Sequence, residues 1–217
     1  MTRIFADRRE AGRALAEALE GLRLADPVVL ALPRGGVPVG YEIAKALGAP
    51  LDVLFVRKIG APGHEEYGIG ALVDGSSPQI VIDERTAQQV GASPEYIQGQ
   101  VTRQLAEIER RRSLYRTGPA PDLRGRTVIV VDDGIATGGT VRAALKALAA
   151  ANAERVILAV PIAPIDVLQS LRELCDEVVC LATPDPFYAV GRHYLDFTQT
   201  SDEDVVQLLQ AAKMVAS

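Results

Sequence analysis

Val128-Ile129-Val130-Val131-Asp132-Asp133-Gly134-Ile135-Ala136-Thr137-Gly138-Gly139-Thr140 is the stretch from which the rest of the chain is read. Four apolar residues make a strand and set two carboxylates at its tip. Small and hydroxylated residues then lead into a helix. Gly138 and Gly139 let backbone amides come close to an anion, and the helix N-terminus adds its dipole. Thr137 and Thr140 contribute hydroxyl donors. One loop therefore offers an anion cradle beside two acceptors suited to sugar hydroxyls, and a sugar phosphate fits both halves. Taken singly, Asp-Asp or Thr-Gly-Gly-Thr reads as an ordinary capped strand–turn–helix with solvated acids; the joined string is what points to a ligand. No Gly-Lys-Ser/Thr follows, so it is not a P-loop, and it is not a dinucleotide fingerprint.

Working outward, the same alternation recurs. Residues 28–32 form a short apolar run, broken by Pro33-Arg34-Gly35-Gly36, with a helix following to about Leu47. Residues 51–56 read as a second buried strand ending in Arg57-Lys58. Residues 59–70, rich in Gly and containing Pro62, read as a mobile loop. Strands at 71–73 and 79–82 suit a hairpin across Asp74-Gly75. Ser93-Pro94 marks a helix start; Ile97, Val101, Leu105 and Ile108 give that helix an apolar stripe opposite an Arg-rich face, and it runs to about Tyr115. Beyond the central loop come a strand at 156–160, a helix at 165–174, a strand at 178–181 and a last helix from Asp202. At the other end, Ala11, Ala14, Leu15, Ala18, Leu19 and Leu22 recur at helical spacing. Strands alternating with helices predict an α/β, Rossmann-like, mostly parallel sheet flanked by helices, whose ligands sit beyond the carboxyl ends of the strands.

The composition sets limits. The 217 residues are 48% hydrophobic and 24% charged, enough for one α/β domain. A net charge of -5 weighs against a protein built to coat nucleic acid or an anionic membrane. The polar start argues against a secretory signal, and no run is long and apolar enough to span a bilayer. Cys175 and Cys180 read as structural thiols of a reduced, cytoplasmic protein, and His64 and His193 fit no metal spacing.

The thirteen-residue string resembles the PRPP-binding signature of the class I phosphoribosyltransferases. That resemblance implies that Asp132 and Asp133 hold the ribose hydroxyls of phosphoribosyl pyrophosphate (PRPP). It implies that Ala136, Thr137, Gly138, Gly139 and Thr140 hold its 5′-phosphate. Ala31-Leu32-Pro33-Arg34-Gly35-Gly36 is similar to the family's pyrophosphate loop, which makes Arg34, Gly35 and Gly36 pyrophosphate contacts. Phe55-Val56-Arg57-Lys58 followed by Gly60-Ala61-Pro62-Gly63 looks like the segment entering the family's catalytic loop, with Arg57 and Lys58 against pyrophosphate. Glu66-Tyr67-Gly68 resembles loop text of adenine phosphoribosyltransferases, and Glu66 could handle an acceptor proton. The implied activity is transfer of the phosphoribosyl group to a nitrogenous base, with Mg²⁺ near Asp132 and Asp133, directly or through water. The resemblance covers roughly residues 27–181.

Departures limit it. Ala136 stands where the hypoxanthine–guanine branch has an acid, so no base for a purine N7 can be assigned there. Residues 84–118 read as a helical insertion in a single domain spanning 1–217. Residues 1–22 and 183–217 read as a small hood or as packing elements, with Phe187 and Tyr188 either stacking on a base or filling core, and Arg192 and His193 as weaker candidates. Arg110-Arg111-Arg112 is a solvated helix face or a contact in a homo-oligomer. It would be the footprint of nucleic acid were the protein a PRPP-sensing regulator. A PRPP hydrolase is a third possibility.

Overall fold

The computed structural model describes residues 4–74, 78–115, 120–149 and 151–215. The chain opens with α1 (Arg8–Glu20), β1 (Pro27–Ala31), α2 (Gly36–Leu47) and β2 (Leu51–Val53). It continues through β3 (Val56–Ala61), β4 (His64–Val73), β5 (Gln79–Ile82), α3 (Glu84–Gln89) and α4 (Pro94–Tyr115). The second half holds β6 (Thr127–Val131), α5 (Gly139–Leu148), β7 (Arg155–Ile162), α6 (Ile165–Leu171), β8 (Glu177–Ala182) and α7 (Asp202–Val215).

Five apolar strands pair in the order β2-β1-β6-β7-β8, every pair parallel, as the alternation predicts. Strand periodicity divides their side chains between two layers. Val29, Ala31, Ile129 and Val131 pack with α1, α2 and α7. Val28, Leu30, Val128 and Val130 pack with α5 and α6. Both faces of the sheet are covered, which is why these strands read as continuous apolar runs.

Two expectations are corrected. Residues 59–70 are not a loop: β3 and β4 pair as an antiparallel hairpin turning at Pro62-Gly63, and β5 extends it to a three-stranded sheet. Gly63 sits at the turn, whereas Gly60 and Gly70 mark close backbone approach within the strands. A Cβ at Gly60 would lie 2.3 Å from Glu65 O, and one at Gly70 would lie 2.5 Å from Val81 O. The register shifts around Gly60, as in a β-bulge. The second correction concerns residues 51–56, which are not one strand. β2 ends at Val53; Leu54 N still donates to Ala31 O at 2.9 Å, and the chain then leaves for the second sheet. Arg57 and Lys58 therefore sit inside an antiparallel strand rather than at the tip of a parallel one. The expected β4–β5 pairing is present, Val73 opposite Gln79; the connecting residues 75–77 fall outside the described set.

Two helices, α3 and α4, follow β5. Asp83 caps α3, accepting from Thr86 N at 3.0 Å, and Ser93 caps α4, accepting from Tyr96 N at 3.2 Å. The buried stripe of α4 is narrower than the sequence suggests: Val101, Ile108 and Tyr115 are buried, while Leu105 is exposed. Phe55 stacks on Tyr115 at 5.7 Å, fixing the helix end over the crossing between the two sheets. Among the described residues no helix is long and apolar enough to cross a membrane.

Candidate active site

β1 and β6 are neighbours in register, Ala31 opposite Val131, so the loops that follow them leave the sheet side by side. Leu32 N donates to Val131 O at 2.8 Å, and the Pro33–Arg34 peptide that follows is cis. Gly35 and Gly36 let the two loops touch. A Cβ on Gly36 would lie 2.7 Å from Val131 O, and a Cβ on Gly35 would lie 2.0 Å from Asp133 Oδ2. Gly35 is thus set by an acid of the second loop, and Gly36 by the backbone where that loop leaves β6.

Asp132 and Asp133 follow β6 directly. Asp132 Oδ1 accepts from Asp133 N at 2.9 Å. Burial lifts the Asp132 carboxyl well above the usual range, and the adjacent Asp133 charge lifts it further. Burial also raises Asp133, against the opposing hydrogen bond and charge of Arg8, whose Nε lies 2.8 Å from Asp133 Oδ2. The phenol of Tyr194 donates to Asp133 O at 2.6 Å, and burial together with the Asp133 charge pushes its pKa up. Gly134 adopts φ 154°, and a Cβ there would meet Val190 at 2.5 Å. The start of α1 and the segment at residues 190–194 therefore close over the acid pair.

The turn beyond is open. Ile135 is buried, its N–H donating to Ile162 O at 2.8 Å, and it anchors the loop to β7. Ala136, Thr137, Gly139 and Thr140 are exposed, whereas Gly138 is buried with φ 75° at the N-cap of α5. No heavy atom beyond its chain neighbours and its own helix backbone lies within 4 Å of a Cβ built on Gly139. A helix N-terminus with its amides facing an unfilled turn suits a phosphate.

Alternation on β3 parts the two basic candidates. Lys58 lines a cleft of about 530 Å³ together with Gly139 and Thr140, walled by β4, β5 and α5. Arg57 points elsewhere: its Nε donates to Gln104 Oε1 on α4 at 2.9 Å, and burial lowers its pKa, helped by nearby Arg111. Arg34 Nη1 lies 3.6 Å from Asp202 Oδ1 at the start of α7, and the Tyr115 hydroxyl donates to the same carboxylate. Burial and Asp202 push the Tyr115 phenol up to about 12. The backbone of Glu66 lies on β4; its side chain is outside the described set. Phe187 stacks on buried His193 at 6.1 Å, and Tyr188 is exposed with Arg192 5.0 Å from its ring. The aromatic that contacts the acids is instead Tyr194, on which Phe197 stacks at 5.0 Å. Nothing in the sequence ties Tyr194, Phe197 or Arg8 to Asp133.

The family model for the phosphoribosyl transferase domain matches residues 3–196. The chain belongs to the phosphoribosyltransferase family. Its match extends beyond the loop at residues 132–140 to Arg8 and Tyr194, the groups that grip Asp133. Two strain versions of a Mycobacterium tuberculosis protein, provisionally named a phosphoribosyl transferase, are each 46% identical over 211 residues, 97% of this chain and 47% of theirs. The chain thus spans about half the length of these curated relatives. The crystal structure of TT1426 from Thermus thermophilus superposes with a TM-score of 0.83 at 42% identity, covering 96% of this chain and 98% of that one.

Among the described residues no cluster of three or more His, Cys, Asp or Glu could hold a metal. The Asp132–Asp133 pair nonetheless fits a hard divalent cation such as Mg²⁺. It offers carboxylate oxygens with a burial-raised proton affinity that a cation would offset, and Mg²⁺ is commonly held by one or two carboxylates with water and phosphate. Cys175 and Cys180 are free thiols whose pKa is raised by burial, and each Sγ–H points at backbone carbonyls: Leu171 O and Glu177 O for Cys175, Ala182 O for Cys180. They suit a structural role.

Proposed function

We propose that this protein transfers the 5-phosphoribosyl group of PRPP to a nitrogenous base, a nucleobase, with release of pyrophosphate. The single observation that carries the reading is the contact between two loops. An open amide turn and an acid pair lie on one side, and Gly35 against Asp133 Oδ2 lies on the other. A 5′-phosphate would take the amides of α5 and the hydroxyls of Thr137 and Thr140. The ribose diol would donate to Asp132 and Asp133. The pyrophosphate would lie along Arg34-Gly35-Gly36, with Lys58 reaching from the antiparallel sheet.

The chemistry asked of these groups is positioning and charge. The C1–oxygen bond breaks toward an oxocarbenium-like state, and the leaving pyrophosphate gathers negative charge. Lys58, Arg34 and the loop amides would neutralise that charge. Mg²⁺, when bound, would supply further charge neutralisation on phosphate oxygens, held by Asp132 and Asp133 directly or through water. The segment at residues 187–197 and the start of α1 would shield the ribose from water. The acceptor would lie on this hood side, near Tyr194 and Phe197.

Incubation with PRPP, Mg²⁺ and a panel of nucleobases, followed by pyrophosphate detection, tests the reading. A base-dependent release of pyrophosphate is expected, and the Glu66-Tyr67-Gly68 text favours a purine. Release without any base would mark a hydrolase. The absence of both pyrophosphate release and PRPP binding would overturn the proposal.

A further inference from the structure

Arg8 and Asp133 lie 125 residues apart, yet Arg8 Nε donates to Asp133 Oδ2 at 2.8 Å. The same guanidinium is held at two more points. Its Nη1 donates to Thr198 O at 2.8 Å, and its carbon lies 3.9 Å from the Phe197 ring centroid. The Arg8 and Asp133 side chains are 11% and 15% exposed. Phe197 stacks on Tyr194, whose hydroxyl donates to the backbone carbonyl of the same aspartate. Asp133 is therefore held by side chain and main chain at once, from α1 and from the tail.

We propose that Arg8 is a positioning residue for the ribose-binding acid pair: it fixes the orientation of the Asp133 carboxylate and balances its charge, leaving the pair's remaining oxygens to the ligand. Two adjacent carboxylates set apart from bulk water repel each other and lack hydration. One guanidinium in contact with Asp133 offsets the charge of that carboxylate. The groups facing Asp133 are Asp132, Arg8 and Tyr194, with Asp7 of the α1 start behind them. The ribose part of the proposal rests on the transferase reading; the Arg8–Asp133 pairing does not.

Two measurements separate these. In thermal melts at pH 7, Arg8→Gln should lower Tm in the wild-type background and much less in an Asp133→Asn background, and Arg8→Lys should recover part of the loss. A loss of equal size in both backgrounds would mean that Arg8 only packs on Phe197 and Thr198, and would overturn the proposal. In calorimetric titration with ribose 5-phosphate, Arg8→Gln should weaken binding about tenfold. Arg8→Lys should stay nearer wild type. Tighter binding to Arg8→Gln would show Arg8 to be an occupant of the ligand's place, also overturning it. Wild type that binds neither ribose 5-phosphate nor PRPP would sink the transferase reading and the ribose role with it, and the melts would still decide the pairing.

Discussion

Gly35 is a residue whose identity is dictated by another loop. With a Cβ due 2.0 Å from Asp133 Oδ2, Gly35→Ala must displace the carboxylate or its own backbone. Transferase activity should fall on the order of 100-fold, the size of loss expected when one group stabilising the transition state is misplaced. Wild-type kcat/KM in this variant would contradict the contact. Asp132 yields a prediction of opposite sign for stability and function. Its raised pKa means that the folded chain keeps a proton which the unfolded chain has released. Stability without ligand therefore falls as pH rises from the ordinary carboxylate range through the raised value. Asp132→Asn cannot ionise and can still accept from Asp133 N. Its Tm should exceed wild type at pH 7–8, converge with it near pH 4, and accompany loss of PRPP binding. A variant less stable than wild type at pH 8 would mean that the carboxylate is held ionised by a partner. At this scale the string from Val128 to Thr140 was legible because adjacency in sequence is adjacency in space within a strand–turn–helix. Arg8 was not, because a lone arginine at a helix start carries no sign of a partner 125 residues away.

At the scale of elements, the start of α5 and the alternation of β3 each divide neighbours into different jobs. Gly138 and Gly139 look equivalent in sequence. Gly138 has φ 75°, and its Cβ would meet Val167 at 2.8 Å; at Gly139 the space is open. Gly138→Ala should therefore destabilise the fold by about 1–3 kcal/mol. Gly139→Leu should leave Tm nearly unchanged and abolish phosphate binding by filling the turn, which melting and ribose 5-phosphate titration together would check. Equal effects on Tm from both would refute the division. Arg57 and Lys58 differ likewise. Lys58→Ala should weaken pyrophosphate more than ribose 5-phosphate, whereas Arg57→Ala should chiefly lower Tm through Gln104, with both ligands bound as before. A selective loss of pyrophosphate in Arg57→Ala would return that residue to the site. Helices were legible because one-sided burial imprints a period on them, and the parallel strands because burial on both faces makes them continuous apolar runs. The β3–β4 hairpin was not, because Gly60, Gly68 and Gly70, which permit close approach of backbone and of the Lys58 stem, carry the same letters as a flexible loop.

Across the whole molecule, two sheets have to be held in one relation for Lys58 to face the α5 turn. No local pattern encodes that docking, so the sequence predicted both the parallel sheet and the helical insertion without showing that α4 joins them. The joint is Asp74, at the end of β4, with its side chain fully buried; Arg112 Nη2 on α4 lies 2.5 Å from Asp74 Oδ1. Asp74 N also donates to Phe55 O at 2.8 Å, tying β4 back to the crossing beside β2. The run Arg110-Arg111-Arg112 thus contains residues of two kinds. Arg110 and Arg111 pair with Glu107 on the outer helix, and their hydrogen bonds hold its carboxyl down at about 2. Such solvent-facing pairs contribute little to stability. Removing Arg112 instead leaves a buried carboxylate short of its cation, a change that costs about 3–5 kcal/mol. At roughly 2–4 °C per kcal/mol for a chain of this size, Arg112→Met should lower Tm by about 6 °C or more. Arg110→Ala should leave Tm nearly unchanged. In an Asp74→Leu background the penalty of Arg112→Met should largely vanish, because no buried charge remains to be stranded. If both arginine replacements instead gave the same small change, α4 would be an appendage rather than the strut between the sheets, and the placement of Lys58 beside Gly139 would need another cause.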